Sequence, residues 1–174
     1  MFTYDDALEI ATVAHVAQTD KTGGPYVDYL KTIADNLKAA GESEEVQIVA
    51  LLQDMMGDAT AYSSDKLLSL GVPESVVATL STLAHHKNQS FIDDYSCKRM
   101  AEGVPAEDAA YEAREKDYLR YIEKMMADPV ARKVKIETLK TLLDEKHIPK
   151  NERREKKTRF RIQKYQAALT LLEK

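Results

Sequence analysis

One cysteine, Cys97, is all that the sequence has, so no disulfide can close within the chain, and its polar surroundings fit a reducing compartment. The cytoplasm is the expected location. The residues Met1 Phe2 Thr3 Tyr4 Asp5 Asp6 contain no basic segment followed by an apolar run, and no window is apolar over the length that a bilayer requires, so neither export nor a membrane anchor is expected. Alternating runs rich in Val, Ile and aromatic residues are also missing, which removes strands as a main element. What is present is ordinary for a folded domain: 44% hydrophobic and 31% charged residues argue against disorder, and 174 residues suit one domain with a substantial core.

The net charge of −4 is unevenly spread. From Glu145 onward there are 10 basic and 4 acidic residues, against 15 basic and 25 acidic in the remainder. The segment 150–174 is therefore read as a basic helix. Its run from Lys150 to Arg161 has the charge to meet phosphates. Glu152 and Glu155 interrupt that run within an acidic chain, however, so a solvated helix face is the expected role and nucleic acid is not an expected partner.

Apolar residues recur at helical spacing almost throughout, which predicts an all-α domain. A first helix is expected from about Asp5, with Leu8, Ala11, Val13 and Ala14 inward, ending before the turn Lys21 Thr22 Gly23 Gly24 Pro25. A second runs from about Tyr26 to Ala40 and is closed by Gly41. A third, about Glu44 to Met56, is apolar around most of its circumference and so central. A short helix over 64–70 ends at Gly71, and another opens at Pro73 and reaches about His85. The segment 88–116 is polar and helix-prone with a break at Gly103 Val104 Pro105, and reads as a helical hairpin.

Four stretches carry more specific information. The first is Ala14 His15 Val16 Ala17 Gln18 Thr19 Asp20 Lys21 Thr22 Gly23 Gly24 Pro25 Tyr26, and the second Ala50 Leu51 Leu52 Gln53 Asp54 Met55 Met56 Gly57 Asp58. The third is Asp128 Pro129 Val130 Ala131 Arg132 Lys133 Val134 Lys135 Ile136, and the fourth Arg161 Ile162 Gln163 Lys164 Tyr165 Gln166 Ala167 Ala168 Leu169. Taken in this order, the chain resembles the HD-domain hydrolases of the (p)ppGpp hydrolase (RelA/SpoT-like) family over its whole length except the segment 88–116. The resemblance implies a single-domain, all-α HD bundle, with 88–116 as an inserted helical hairpin.

The same resemblance implies a changed site. In that family a divalent cation, typically manganese, is held by two His and two Asp side chains from three separate helices. The matching positions here are Tyr29, Gln53, Asp54 and Thr138, and Gly57 stands where a Glu precedes Asp58. A phenol, an amide and a neutral hydroxyl are weak donors at neutral pH, so three of four ligands lose their strength. No metal is expected, and Mn²⁺ is the ion to look for were the site functional. Asp58 is the remaining catalytic candidate. The resemblance places His15, Gln18, Lys21 and Tyr26 about a nucleotide pocket, although a hydrogen-bonded wall His and a surface Lys are the bland alternatives for His15 and Lys21. Asp54 and Asp58 would share a face if their helix continued through Gly57, with Lys135 a candidate counter-charge. His85 and His86 are adjacent, point apart on a helix and suit a helix end. His147 has no assigned role.

The expected function is that of a degenerate HD-domain protein, a pseudoenzyme that binds a guanosine nucleotide or a protein partner. The alternative is an active HD phosphohydrolase acting on a guanosine (pyro)phosphate or related nucleotide. A pure interaction module built on the hairpin and the basic tail is a third possibility. The ligand, the partner and the oligomeric state are not legible.

Overall fold

The computed structural model describes residues 1–174 and consists of nine α-helices with no strand. In chain order they are α1 (Tyr4–Ala14), α2 (Tyr26–Ala39), α3 (Glu44–Leu52), α4 (Ser64–Ser69), α5 (Glu74–Leu83), α6 (Gln89–Ala101), α7 (Ala106–Met125), α8 (Pro129–Leu143) and α9 (Lys156–Leu172). A 3₁₀ turn, Glu145–His147, follows α8. No helix is long and apolar enough to cross a membrane.

Local chemistry sets many of these bounds. Thr3 and Asp6 exchange side-chain and backbone hydrogen bonds in a capping box that starts α1. Asp128 accepts from the amides of Val130 and Ala131, both at 3.0 Å, and Pro129 occupies the first turn of α8, where its missing N–H costs nothing. Gly41, at φ +82°, ends α2 in the left-handed conformation that a side chain would strain, and Gly103, at φ +94°, does the same between α6 and α7. The segment 88–116 thus comprises α6 and the first half of α7, packed antiparallel, with Arg99 bridging to Glu112 at 2.7 Å.

α3 is the centre. Val46, Ile48, Val49, Ala50, Leu51 and Leu52 are all buried, so a nine-residue helix needs apolar partners on every side. α1, α2, α5 and α8 supply them through Ala7, Ala11, Leu30, Ile33, Leu80, Val134 and Leu139. Burial of this kind is the main stabilising term, at roughly 1.5–3 kcal/mol for each large aliphatic side chain.

Three boundaries differ from the sequence reading. α3 stops at Leu52, not near Met56, because side chains and loop amides capture the carbonyls that the next turn would use. Thr60 Oγ1 lies 2.9 Å from the Asp54 carbonyl and 2.6 Å from that of Met55, and the Tyr62 amide donates to Met55 at 2.9 Å. α5 ends at Leu83, two residues short of His85, where the Tyr121 hydroxyl takes the free Leu83 carbonyl. The last helix begins at Lys156, and 150–155 form turns. Within α1 the inward face is Ala7 and Ala11, whereas Val13 is 66% exposed, so the expectation that Val13 faces inward is corrected.

These assignments separate two substitutions of similar chemistry. Leu51→Ala should lower the unfolding free energy by about 2–5 kcal/mol in a denaturant titration. Val13→Ala should change it by less than about 0.5 kcal/mol.

Candidate functional site

The buried helix α3 ends at a cavity of about 430 Å³, and the two residues that follow it, Gln53 and Asp54, form part of the wall. α2 contributes Tyr26 and Tyr29, and α8 contributes Lys135, Thr138 and Leu142. The remaining wall comes from Tyr118 on α7, Tyr165 on α9, His85 after α5, His147 in the 3₁₀ turn and Thr19 to Thr22 of the α1–α2 loop. Tyr29, Gln53, Asp54 and Thr138, separated by up to 109 positions in the chain, therefore meet at one place.

Two separate hydrogen-bonded pairs, Thr138 with Gln53 and Tyr26 with Asp54, lie here beside the Tyr29 ring. Thr138 Oγ1 lies 3.0 Å from Gln53 Oε1 and 2.8 Å from the Val134 carbonyl, so its one proton is shared between two acceptors. Gln53 Nε2 donates to the Ala50 carbonyl at 3.1 Å. Tyr26 donates its phenolic proton to Asp54 Oδ2 at 2.6 Å. Burial, and then the Asp54 charge, push the Tyr26 and Tyr29 phenols well above their ordinary range, so both stay protonated.

This donor set does not fit a manganese ion. Tyr29 would have to lose a proton that its surroundings hold firmly, Gln53 and Thr138 satisfy each other, and Asp54 is the lone carboxylate among the four. No three His, Cys, Asp or Glu side chains converge anywhere in the molecule as a metal would need.

The loop between α1 and α2 is braced by Asp20. Its Oδ1 accepts from the Thr22 amide at 2.8 Å, the Thr22 hydroxyl at 2.7 Å and the Gly24 amide at 3.1 Å. Burial works to raise the Asp20 pKa, but these hydrogen bonds outweigh it and leave the carboxyl below its usual range. The braced turn holds Lys21 at the cavity edge.

The cations there lack partners. None of Lys21, Lys135 and Lys164 has a carboxylate oxygen within 4.0 Å of its ammonium, although Lys133, Lys140 and Lys156 elsewhere all do. Aromatic faces take the place of counter-charges. Lys135 lies 5.5 Å from the Tyr118 centroid and 5.3 Å from that of Tyr121, and Lys164 lies 4.8 Å from Tyr118 and 5.2 Å from Tyr165. Burial, followed by the charges of Lys87, Lys135, Arg161 and Lys21, lowers the Lys164 pKa to about 8. Lys21 is lowered as well, by burial first and then by Arg161.

His85 adds a polar group to the opposite wall. Its Nε2 is 3.1 Å from Asp117 Oδ2, and its ring stacks on Tyr121 at 4.5 Å. Burial lowers its pKa against the opposing pull of Asp117, so the ring is neutral near pH 7. Because a carboxylate only accepts, Nε2 carries the proton and Nδ1 is left as an acceptor.

Of the residues singled out from the sequence, Lys21, Tyr26, Tyr29, Gln53, Asp54, Lys135 and Thr138 line the cavity. His15 and Gln18 do not. They are hydrogen-bonded to each other behind Tyr26, whose ring is 5.0 Å from that of His15. Asp58 also lies outside, because the chain leaves helical geometry before Gly57, and its exposed carboxylate is 3.6 Å from the exposed His86. His85, Tyr118, Lys164 and His147 were not foreseen as a group. Tyr165 lies within a motif quoted above, whereas nothing local marks His85.

The chain has the all-α fold of HD-domain proteins. The structural likeness is to a metazoan ortholog of SpoT, described as hydrolysing ppGpp and playing a role in starvation responses. The TM-score is 0.62 at 18% identity, over 95% of this chain and 84% of that one, a likeness of fold. No family model and no curated protein sequence matches the chain.

The half-buried Lys164 yields a stability prediction with a definite sign. Its lowered pKa means that the folded state resists protonation at Lys164, a cost that is present at neutral pH and fades as pH climbs from about 8 towards 10.5. Lys164→Met should therefore raise stability by about 1–3 kcal/mol at pH 7 and by progressively less above pH 8, as followed by thermal unfolding across pH.

Proposed function

We propose that this chain binds a phosphorylated nucleotide, of guanosine type, in the cavity at the end of α3, and acts by binding it as a regulator, without manganese-dependent hydrolysis. The observation that carries this reading is the pair of lysines without a carboxylate partner, Lys21 and Lys135, in the wall of an aromatic-lined cavity, with Lys164 behind the shared Tyr118 ring. Such cations destabilise the free protein by mutual repulsion and desolvation, and an anionic ligand would reverse both effects. A volume of about 430 Å³ suits a small polar ligand. Tyr26, Tyr29, Tyr118 and Tyr165 offer faces against which a base can rest, and the fold is shared with a protein described as acting on ppGpp.

The site chemistry favours binding over turnover. The four positions that would hold the cation are occupied by Tyr29, Gln53, Asp54 and Thr138, and Asp58 faces solvent. An active phosphohydrolase is the second reading, and one observation favours it: His85, neutral and held by Asp117 through Nε2, lines the cavity and keeps Nδ1 as a proton acceptor. A protein ligand in place of the nucleotide would leave affinity unrelated to the cavity lysines.

Calorimetric titration with GMP, GDP and ppGpp distinguishes these readings. Binding should strengthen with phosphate number, weaken with salt and be indifferent to EDTA or added manganese. Lys135→Gln and Lys21→Gln should each weaken it by about tenfold. Turnover by the natural chain that Asp54→Ala abolishes would establish the enzyme instead.

Rebuilding the ligands with Tyr29→His, Gln53→His, Gly57→Glu and Thr138→Asp should create manganese-dependent release of pyrophosphate from ppGpp, read by phosphate analysis. A Cβ at Gly57 would sit 3.2 Å from the Asp54 carbonyl, so the three-residue version lacking Gly57→Glu is the control for local distortion.

A further inference from the structure

A second, smaller cavity of about 150 Å³ opens beside the first, between α9 and the first half of α7, and the two share Lys21. Five of its seven lining residues are cationic: Lys21, Arg114, Lys157, Arg161 and Lys164. No acid lines it, and the one carboxylate within 4.0 Å of any of these cations is Glu152, 3.8 Å from Arg161. The concentration of charge follows from helix geometry. Lys157, Arg161 and Lys164 stand at i, i+4 and i+7 on α9 and so share one face, with Phe160 between them. Phe160 lies flat on Tyr111 of α7, centroids 4.6 Å apart at an interplanar angle of 8°, which fixes the two helices side by side. Arg114, one turn beyond Tyr111, completes the ring from the opposite side, its guanidinium 5.9 Å from the Tyr111 centroid.

Elsewhere Arg99, Lys133, Lys140 and Lys156 each face a carboxylate within 4.0 Å. The cavity is too small for a nucleoside and of the right size for a phosphate or pyrophosphate group. Its multiple N–H donors match the oxygens that such a group presents. The shared Lys21 gives continuity to the main cavity. We propose that the Lys21, Arg114, Lys157, Arg161 and Lys164 cavity is a separate phosphate subsite, which takes a terminal phosphoryl or pyrophosphoryl group. The preferred ligand then carries phosphates at two separated points or on an extended chain. The second half of this statement rests on the nucleotide reading above, and the subsite itself does not.

Inorganic pyrophosphate is the probe for the subsite alone. Titrated into the full chain, it should bind with an affinity that falls about tenfold in Arg114→Gln and in Lys157→Gln. Both side chains are exposed enough for removal without loss of fold. Arg159→Gln, an exposed change of equal charge on α9 outside both cavities, should leave it unaltered. Absence of pyrophosphate binding, or an equal loss in Arg159→Gln, overturns the subsite. ppGpp and GMP then test the link: Arg114→Gln should weaken ppGpp by about tenfold and leave GMP unchanged, and an equal effect on both would break the connection between the cavities. Pyrophosphate binding with this pattern but no nucleotide binding would leave the subsite standing and remove the nucleotide reading.

Discussion

The structure depends on how the central helix is allowed to end. A helix buried on all sides must terminate inside the protein, and the polar groups at that point need partners or cost free energy comparable to the stability of a small domain. Gln53 and Asp54 meet this need through Thr138 on α8 and Tyr26 on α2. Two side-chain hydrogen bonds therefore join the three segments that surround the cavity. A cation bound at the same positions would tie the same segments with charge. Here neutral donors and one carboxylate join them directly.

What fills the rest of the wall is an unusual pairing of cations with rings. A lysine buried against tyrosine faces recovers some of its lost hydration, but less than a carboxylate would supply. Lys135 and Lys164 share the Tyr118 ring in this way. The same tyrosines are kept protonated by burial, so they add surface to the cavity without adding charge. The wall thus combines Lys21 and Lys135 with neutral phenols and the carboxylates of Asp20 and Asp54.

The all-α architecture was legible because apolar spacing near 3.6 runs through most of the chain, and caps such as Asp128–Pro129 and closures such as Gly41 are local signals. The convergence of Tyr29, Gln53, Asp54 and Thr138 was legible through motif order, since no periodicity relates residues so far apart. What escaped was decided by contacts across the fold. The stop at Leu52 depends on Thr60 and Tyr62 taking carbonyls, and it turns Asp58 outward. His85 enters the cavity because Tyr121, far along the chain, accommodates the end of α5. Lys164 lies just past the run, Lys150 to Arg161, that reads as a solvated basic face. Its burial comes from the packing of α9 against α7, which composition does not encode.

α7 itself joins regions that sequence reading divides. Its 20 residues form one uninterrupted helix, so Tyr111 and Arg114 at the small cavity, Tyr118 at the large one, and Asp117 and Tyr121, which hold His85, ride on a single strut. From Arg114 to Tyr121 the axis advances about 10 Å, at 1.5 Å per residue. The hairpin is for that reason no detachable module. Excising 88–116 would cut this helix near its middle, leaving Tyr118 close to a new and uncapped helix end.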